Sequence, residues 1–302
     1  MDPTLVWVPA TLIASGAQVA RNAMQRQLTE TIGTVGATQV RFLFGLPFAC
    51  LFLLGVLAVT GEGLPRPDAG FVPFILLGAL SQIAATGLML AAMRQRSFAV
   101  VTALLKTEAV QIAVFGFVFL GDRLTALGLS GVVLATFGVV LLSWTSKTAG
   151  ETRTGGLLPL LLGVASGALF ALSAVGYRGG ILHLDSGSFL IRATTTLAWG
   201  LGLQTVLLCI GLVLFDRAAL KASFVHWRAS VAAGFVGALA SQFWFIGFAV
   251  TAAANVRTLA LVEILMAQAV SRRLFDHAPS RRELAGMGLV GIGVVALLVG
   301  AR

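Results

Sequence analysis

The sequence predicts an all-α membrane protein of ten transmembrane helices, arranged as two inverted five-helix repeats. Three observations predict it. First, the 302 residues are 58% apolar and only 11% charged, with a mean hydropathy of +0.95. Soluble domains run at about 45–50% apolar and about 25% charged. A soluble chain of this size buries about 75% of its surface on folding, which is too little to hide so much apolar side chain. A soluble enzyme, a nucleic-acid-binding domain and a disordered chain are therefore excluded classes. Second, ten apolar runs reach the roughly 20 residues that a spanning helix requires. Third, an ordered set of residues recurs half a chain apart.

The ten runs lie at 5–24, 35–60, 71–92, 98–120, 125–145, 156–178, 188–214, 229–250, 253–275 and 284–300. The first begins almost at Met1 with no basic stretch before it, so it reads as a retained span rather than a cleaved signal peptide. Gly61-Glu62-Gly63-Leu64-Pro65-Arg66-Pro67 separates the second run from the third. Gly121-Asp122-Arg123 separates the fourth from the fifth, and Asp276-His277-Ala278-Pro279 the ninth from the tenth. The runs are too long for outer-membrane barrel strands and lack their alternation. The connections leave no room for an extramembrane catalytic domain; the longest are 146–155 and 215–228. The first of these stands mid-chain and reads as the link between repeats 1–148 and 149–302.

The repetition can be checked by subtraction. Gly36 and Arg41 recur as Gly187 and Arg192, 151 residues later. Ser81-Gln82 and Gly87 recur as Ser241-Gln242 and Gly247, 160 later. Glu108, Gly131 and Gly138 recur as Glu263, Gly286 and Gly293, all 155 later. Order is kept, and the small drifts fit changes in loop length. Each half has five spans. Five is odd, so the second half enters the membrane from the opposite face. Secondary transporters use such inverted repeats for alternating access, with the substrate site at the repeat interface.

A family resemblance adds to this. Ala92-Met93-Arg94-Gln95-Arg96-Ser97-Phe98-Ala99 is followed by Lys106-Thr107-Glu108. Then come Phe119-Leu120-Gly121-Asp122-Arg123-Leu124-Thr125, Gly131 and Phe137-Gly138-Val139-Val140-Leu141-Leu142. Together these resemble an EamA-type repeat of the drug/metabolite transporter superfamily. The resemblance covers nearly the whole chain as two repeats and says little about substrate. The second copy departs from the pattern: Asp276-His277 stands where the first has Gly121-Asp122, and Asn255-Val256-Arg257 precedes Glu263.

Ionisable residues inside spans are costly, roughly 2.5–3.5 kcal/mol on insertion scales, and are functional candidates by default. They are Arg41, Lys106, Glu108, Arg192 and Glu263. Glu108 and Glu263 lie about ten residues into their runs, or about 15 Å deep, near the midplane. Arg41 and Arg192 lie about five residues in, within snorkelling reach of an interface. The height difference of roughly 7.5 Å lets Arg41 meet Glu108 and Arg192 meet Glu263. These pairs read either as structural salt bridges or as parts of a cavity. Lys106 accompanies Glu108 while Leu261 precedes Glu263, so Glu263 is expected to depend more on Arg192 or on a proton. Gln82 and Gln242 fall mid-helix, where an amide needs an interior partner. Gln111 lies one turn from Glu108. Trp244 either walls the cavity or faces lipid. Gln18, Arg21 and Asn22 close the first run and read as interfacial.

Three basic groups against two acids favour a small carboxylate-bearing, amino-acid-like metabolite, with export as the direction. A lipophilic-cation exporter, uptake or exchange of a similar solute, and a non-transporting scaffold are the alternatives. No nucleotide-binding motif is present, so energy comes from an ion gradient, with protons as the candidate coupling ion, or from exchange. Gly286-Met287-Gly288-Leu289-Val290-Gly291 matches G-x-G-x-x-G but lacks a preceding strand, so close helix packing explains it. Gly163/Gly167 and Gly176/Gly180 read the same way. His183, His226 and His277 are scattered, and Cys50 and Cys209 have no metal spacing. No catalytic residue, metal or cofactor is expected, nor a nucleic-acid partner. The expected partners are a small molecule and membrane lipid, and the chain is a monomer or homodimer. Outside the membrane the odd-numbered connections hold thirteen Lys+Arg against five on the other side. The positive-inside rule then places both termini outside the cytoplasm, in a bacterial inner membrane.

Overall fold

The computed structural model describes residues 5–95, 98–145, 157–262 and 281–300. Among these residues the structure is helical between its turns, with one isolated strand-like bridge, Pro67 to Leu184. The helices are α1 (Trp7–Leu43), α2 (Leu46–Thr60), α3 (Phe71–Gln95), α4 (Phe98–Leu105), α5 (Glu108–Leu120) and α6 (Ala126–Thr145). The second part of the chain forms α7 (Leu157–Leu182), α8 (Phe189–Phe215), α9 (Arg217–Val225), α10 (Trp227–Val250), α11 (Ala253–Leu259) and α12 (Arg281–Gly300). Among the described residues, five helical stretches are long and apolar enough to cross a membrane: Trp7–Thr60, Phe71–Gln95, Leu157–Leu182, Phe189–Phe215 and Trp227–Val250. Their outward faces are apolar: Leu51, Leu54, Val59, Val206 and Leu214 are all exposed. Such a surface suits hydrocarbon, where helices satisfy their own backbone hydrogen bonds.

The structure corrects the first two runs. The first helix does not end at residue 24. Between Gly16 and Gly33 there is neither glycine nor proline to stop it, and it continues to Gly33, whose φ is 72°. Gln25 Nε2 donates to Ala37 O at 2.9 Å. Twelve residues of straight helix would separate those positions by about 18 Å, so the chain doubles back at Gly33. The fourth run is interrupted at Lys106-Thr107, between α4 and α5, and the ninth turns at Ala260-Leu261, after α11. The 215–228 connection contains a helix of its own, α9. The expected link at 146–155 and the remainder of the ninth run, 263–275, lie outside the described residues.

The most extensive helix contacts are α6 with α12, α3 with α7, and α1 with α10. Glycines bring these backbones together. A Cβ on Gly138 would sit 2.6 Å from Gly286 O, and one on Gly131 would sit 2.5 Å from Gly293 O. A Cβ on Gly176 would lie 2.5 Å from Gly78 N. Without a hydrophobic driving force in lipid, helices associate through such close packing.

At one end of the bundle, residues 61–70 meet residues 183–188. Arg66 N donates to Asp185 Oδ1 at 2.9 Å, Ser188 N donates to Glu62 Oε2 at 2.7 Å, and His183 Nδ1 lies 2.8 Å from Asp68 Oδ2. The His183 hydrogen bond holds the Asp68 carboxyl below the usual carboxylate range. The Asp122–Arg178 pair and Gly300 lie at this same end, called the first end below.

A packing prediction follows from the glycines. Gly138→Leu should destabilise the purified protein by about 1–3 kcal/mol, because the new side chain overpacks the α6–α12 contact. Gly288→Leu faces open space and should leave thermal unfolding in detergent unchanged. Equal sensitivity at both positions would count against the packing role.

Candidate functional site

The interruptions in the fourth and ninth runs create two helix ends inside the bundle. Glu108 is the first residue of α5, and Arg257 stands in the last turn of α11. An acid at a helix N-terminus and a base at a C-terminus each complement the helix dipole. The two also pair with each other: Arg257 Nη1 donates to Glu108 Oε1 at 3.1 Å, with side-chain exposures of 6% and 8%. The guanidinium lies over the Trp244 ring, 4.1 Å from its centroid, and 5.7 Å from that of Phe248. Gln18 Oε1 accepts from Trp244 Nε1 at 3.0 Å and from Arg257 Nη1 at 3.4 Å.

A cleft opens beside this pair. Gln18, Arg21, Asn22, Lys106, Glu108 and Arg257 supply its polar lining, with Thr102; Val19, Met89, Leu105 and Phe170 supply its apolar wall. Arg21, only 1% exposed, gives both Nε and Nη2 to Asn22 Oδ1, at 3.1 and 2.7 Å. Its Nη1 has no partner among the described residues. The described lining thus holds three cations and one acid. Toward the first end, the cleft is covered by the Arg257–Trp244–Phe248 stack. Arg178 braces that cover: its Nη1 donates to Phe248 O at 2.6 Å and Thr251 O at 2.5 Å, while Nε and Nη2 grip Asp122 at 2.9 and 3.0 Å.

One expected pairing is corrected here. Glu108 meets Arg257, not Arg41. Arg41 instead donates to Thr86 Oγ1 at 3.1 Å. Helical rise fixed the height of each residue but not the direction of its side chain, which packing sets. Glu263 lies outside the described residues, so the Arg192–Glu263 pair does too. Arg192 is half-buried, and its Nε has no partner among the described residues. Gln82 Oε1 accepts from Gln204 Nε2 at 2.9 Å and Tyr177 OH at 3.3 Å. Gln242 Nε2 donates to Thr194 Oγ1 at 2.8 Å. Both amides therefore join helices away from the cleft lining. Gln111 is half-buried one turn along from Glu108 and is outside the lining. Trp244 is 2% exposed and turned inward, not toward lipid. Lys106 lines the cleft.

Sequence reasoning missed Gln18, Arg21, Asn22 and Arg257. The first three read as interfacial because the apolar run thins there. The signal that helix α1 continues was the lack of any glycine or proline before Gly33. Arg257 stands just after a turn at the start of the ninth run, where a positive-inside count takes it as a connection residue, yet every residue of α11 is buried. Among the described residues, no group of His, Cys, Asp and Glu is placed to hold a metal.

The ion pair generates a prediction. Glu108→Gln should lower stability by about 3–5 kcal/mol, because it leaves Arg257 buried without its counter-charge. The double variant Glu108→Gln/Arg257→Met should recover much of that loss. Thermal unfolding of the three purified proteins measures both, and additive losses would show that the pair is not coupled.

Comparison with known proteins agrees with this architecture. A solved structure described only as "Crystal structure of protein" superposes with a TM-score of 0.66 over 99% of each chain, at 17% identity, and so shares the fold. No curated protein sequence matches the chain. Residues 7–144, which run from α1 through α6, match the EamA-like transporter family. With its span-length apolar helices, the chain is an integral membrane protein, and its residues 7–144 are similar to the EamA-like transporter family.

Proposed function

We propose that the chain is a secondary active transporter that moves a small carboxylate-bearing, amino-acid-like metabolite by alternating access, with export as its direction. The observation that carries this reading is the buried cleft at two helix interruptions, lined by Arg21, Lys106 and Arg257 against Glu108. Interrupted helices place charged helix ends at the midplane of many transporters, where substrates bind. An excess of buried cations suits an anionic group, and Met89, Leu105 and Phe170 suit an apolar remainder. A proton is the proposed coupling ion, with Glu108 as the described acid in the cleft. Nothing in this arrangement calls for a chemical reaction on the solute.

Ten spans in two inverted repeats, 1–148 and 149–302, are part of the same proposal. The helix contacts support it. Exchanging the halves by the recurrence offsets turns the α3–α7 contact into α10–α1 and maps α6–α12 and α2–α8 onto themselves. The interruption at Lys106-Thr107 recurs within one residue of the 155-residue offset, at Ala260-Leu261. In this arrangement the described cleft is covered at the first end and lies nearer the opposite end.

Binding to the native state raises apparent stability, by about 2.7 kcal/mol at 100 times the dissociation constant. Thermal-shift screening should therefore find stabilising amino acids or related organic anions, with flux of the same compound in liposomes. The shift should vanish in Arg21→Ala with the fold intact. Stabilisation by lipophilic cations alone, lost in Glu108→Gln, would move the assignment to drug export.

The proposed orientation has both termini outside the cytoplasm of a bacterial inner membrane. Arg21 and Arg257 are buried, so each leaves its side of the count, and twelve basic residues still face four. A C-terminal fusion to a reporter active only in the cytoplasm should stay silent. An active fusion would reverse the orientation.

A further inference from the structure

A second feature of the bundle is a pair of buried arginines that form no salt bridge among the described residues. Arg21 and Arg41 both belong to α1, on either side of the Gly33 reversal. They are 1% and 2% exposed. The reversal brings their stems together against α10. A Cβ on Gly237 would lie 3.3 Å from Arg21 Cδ and 3.3 Å from Arg41 Cγ. Gly237 therefore leaves the space that the two side chains occupy. The Arg41 charge acts directly on Arg21, as do those of Arg257 and Glu108.

The hydrogen bonds of this pair go to neutral groups. Arg21 holds the amide oxygen of Asn22. Arg41 holds Thr86 Oγ1, whose own proton goes to Gln82 O at 2.8 Å. Two buried N–H groups have no partner among the described residues: Nη1 of Arg21 and Nε of Arg41. Glu108 already receives Arg257. A buried guanidinium is stable when it is paired and hydrogen-bonded, and two adjacent ones repel. An anion between them would supply both the charge and the missing acceptors.

We propose that Arg21 and Arg41, whose stems meet over Gly237, form at their open N–H groups a binding site for one small monovalent anion, of chloride or carboxylate chemistry. Two open N–H donors match a monovalent acceptor and offer too few contacts for a phosphate or sulfate. Through Arg21 the site adjoins the transport cleft, so it deepens the proposed function while resting on its own geometry. A chloride held here offsets part of the positive charge of the empty cleft, and the carboxylate of an arriving substrate can replace it at the same donors.

The test uses the purified full chain in detergent, with chloride or bromide titrated against isethionate at constant ionic strength. Wild-type protein should gain thermal stability saturably with either halide. Arg41→Gln and Arg21→Gln should each weaken the half-saturating concentration by about tenfold or more, as expected for loss of a charge-assisted donor. Lys221→Gln, an exposed basic control on α9, should leave it unchanged. Acetate that competes with chloride would assign substrate carboxylate and halide to the same donors; halide binding without competition would make it an inorganic anion site. Bromide soaked into wild-type crystals should give an anomalous peak between the two guanidinium groups, whatever the variants' folding yield. No saturable halide or acetate effect, or an undiminished one in both arginine variants, overturns the site. That result would leave metabolite flux in liposomes untouched, whereas halide binding without any flux would overturn the transporter reading alone.

Discussion

The contact between Glu108 and Arg257 is the constraint around which the interior is arranged. Each residue sits at a helix end inside the bundle, where backbone groups lack their usual partners and a local dipole is exposed. Glu108 serves the start of α5 and Arg257 serves the end of α11. One ion pair therefore settles two helix ends and joins the first part of the chain to the second. It stays favourable because Trp244 stacks beneath the guanidinium and Gln18 binds both Trp244 and Arg257. Without those neighbours, the cost of desolvating two charges could exceed their attraction.

The surrounding helices are held by different means. Glycine contacts let α6 meet α12, and α3 meet α7, at backbone distance. Polar side chains add further fastenings: Gln204 and Tyr177 converge on Gln82, and Gln242 reaches Thr194. At the first end, Arg178 bridges the turn after α5 to the last carbonyls of α10. This brace lies directly behind Phe248 and so supports the aromatic stack that covers the cleft. Elsewhere the cleft is bounded by residues 18–22 of α1 and by the start of α5.

The arginines of α1 show how a single backbone event builds a site. Were α1 straight, Arg21 and Arg41 would stand about 30 Å apart, at 1.5 Å for each of twenty residues. The positive φ of Gly33 reverses the chain and places both side chains on Gly237. A β-branched or bulky residue would resist that backbone conformation. The electrostatics of the cleft thus depend on a residue that carries no charge and does not line it.

The sequence by itself determined the membrane class, the helical character and the family resemblance, because composition, run length and motif spacing are properties of the chain taken locally. Of the glycines that read as packing surfaces, Gly176 meets α3 and Gly286 meets α6, whereas Gly288 and Gly291 face open space, because small residues show where a close approach is allowed and not which face receives it. The sequence picked out Lys106 and Glu108 because ionisable groups deep in an apolar run are rare enough to stand out. Tertiary structure alone decided which charges meet. Depth along a helix follows from counting residues, but direction around the axis follows from packing, so Glu108 found Arg257 rather than Arg41. Tertiary structure also moved Arg21 from an expected interface into the interior, because the reversal at Gly33 comes nine residues later than the fading of hydropathy suggested. Local hydropathy reports how apolar a segment is; whether its polar residues face water or one another is set by what the neighbouring helices bring to them.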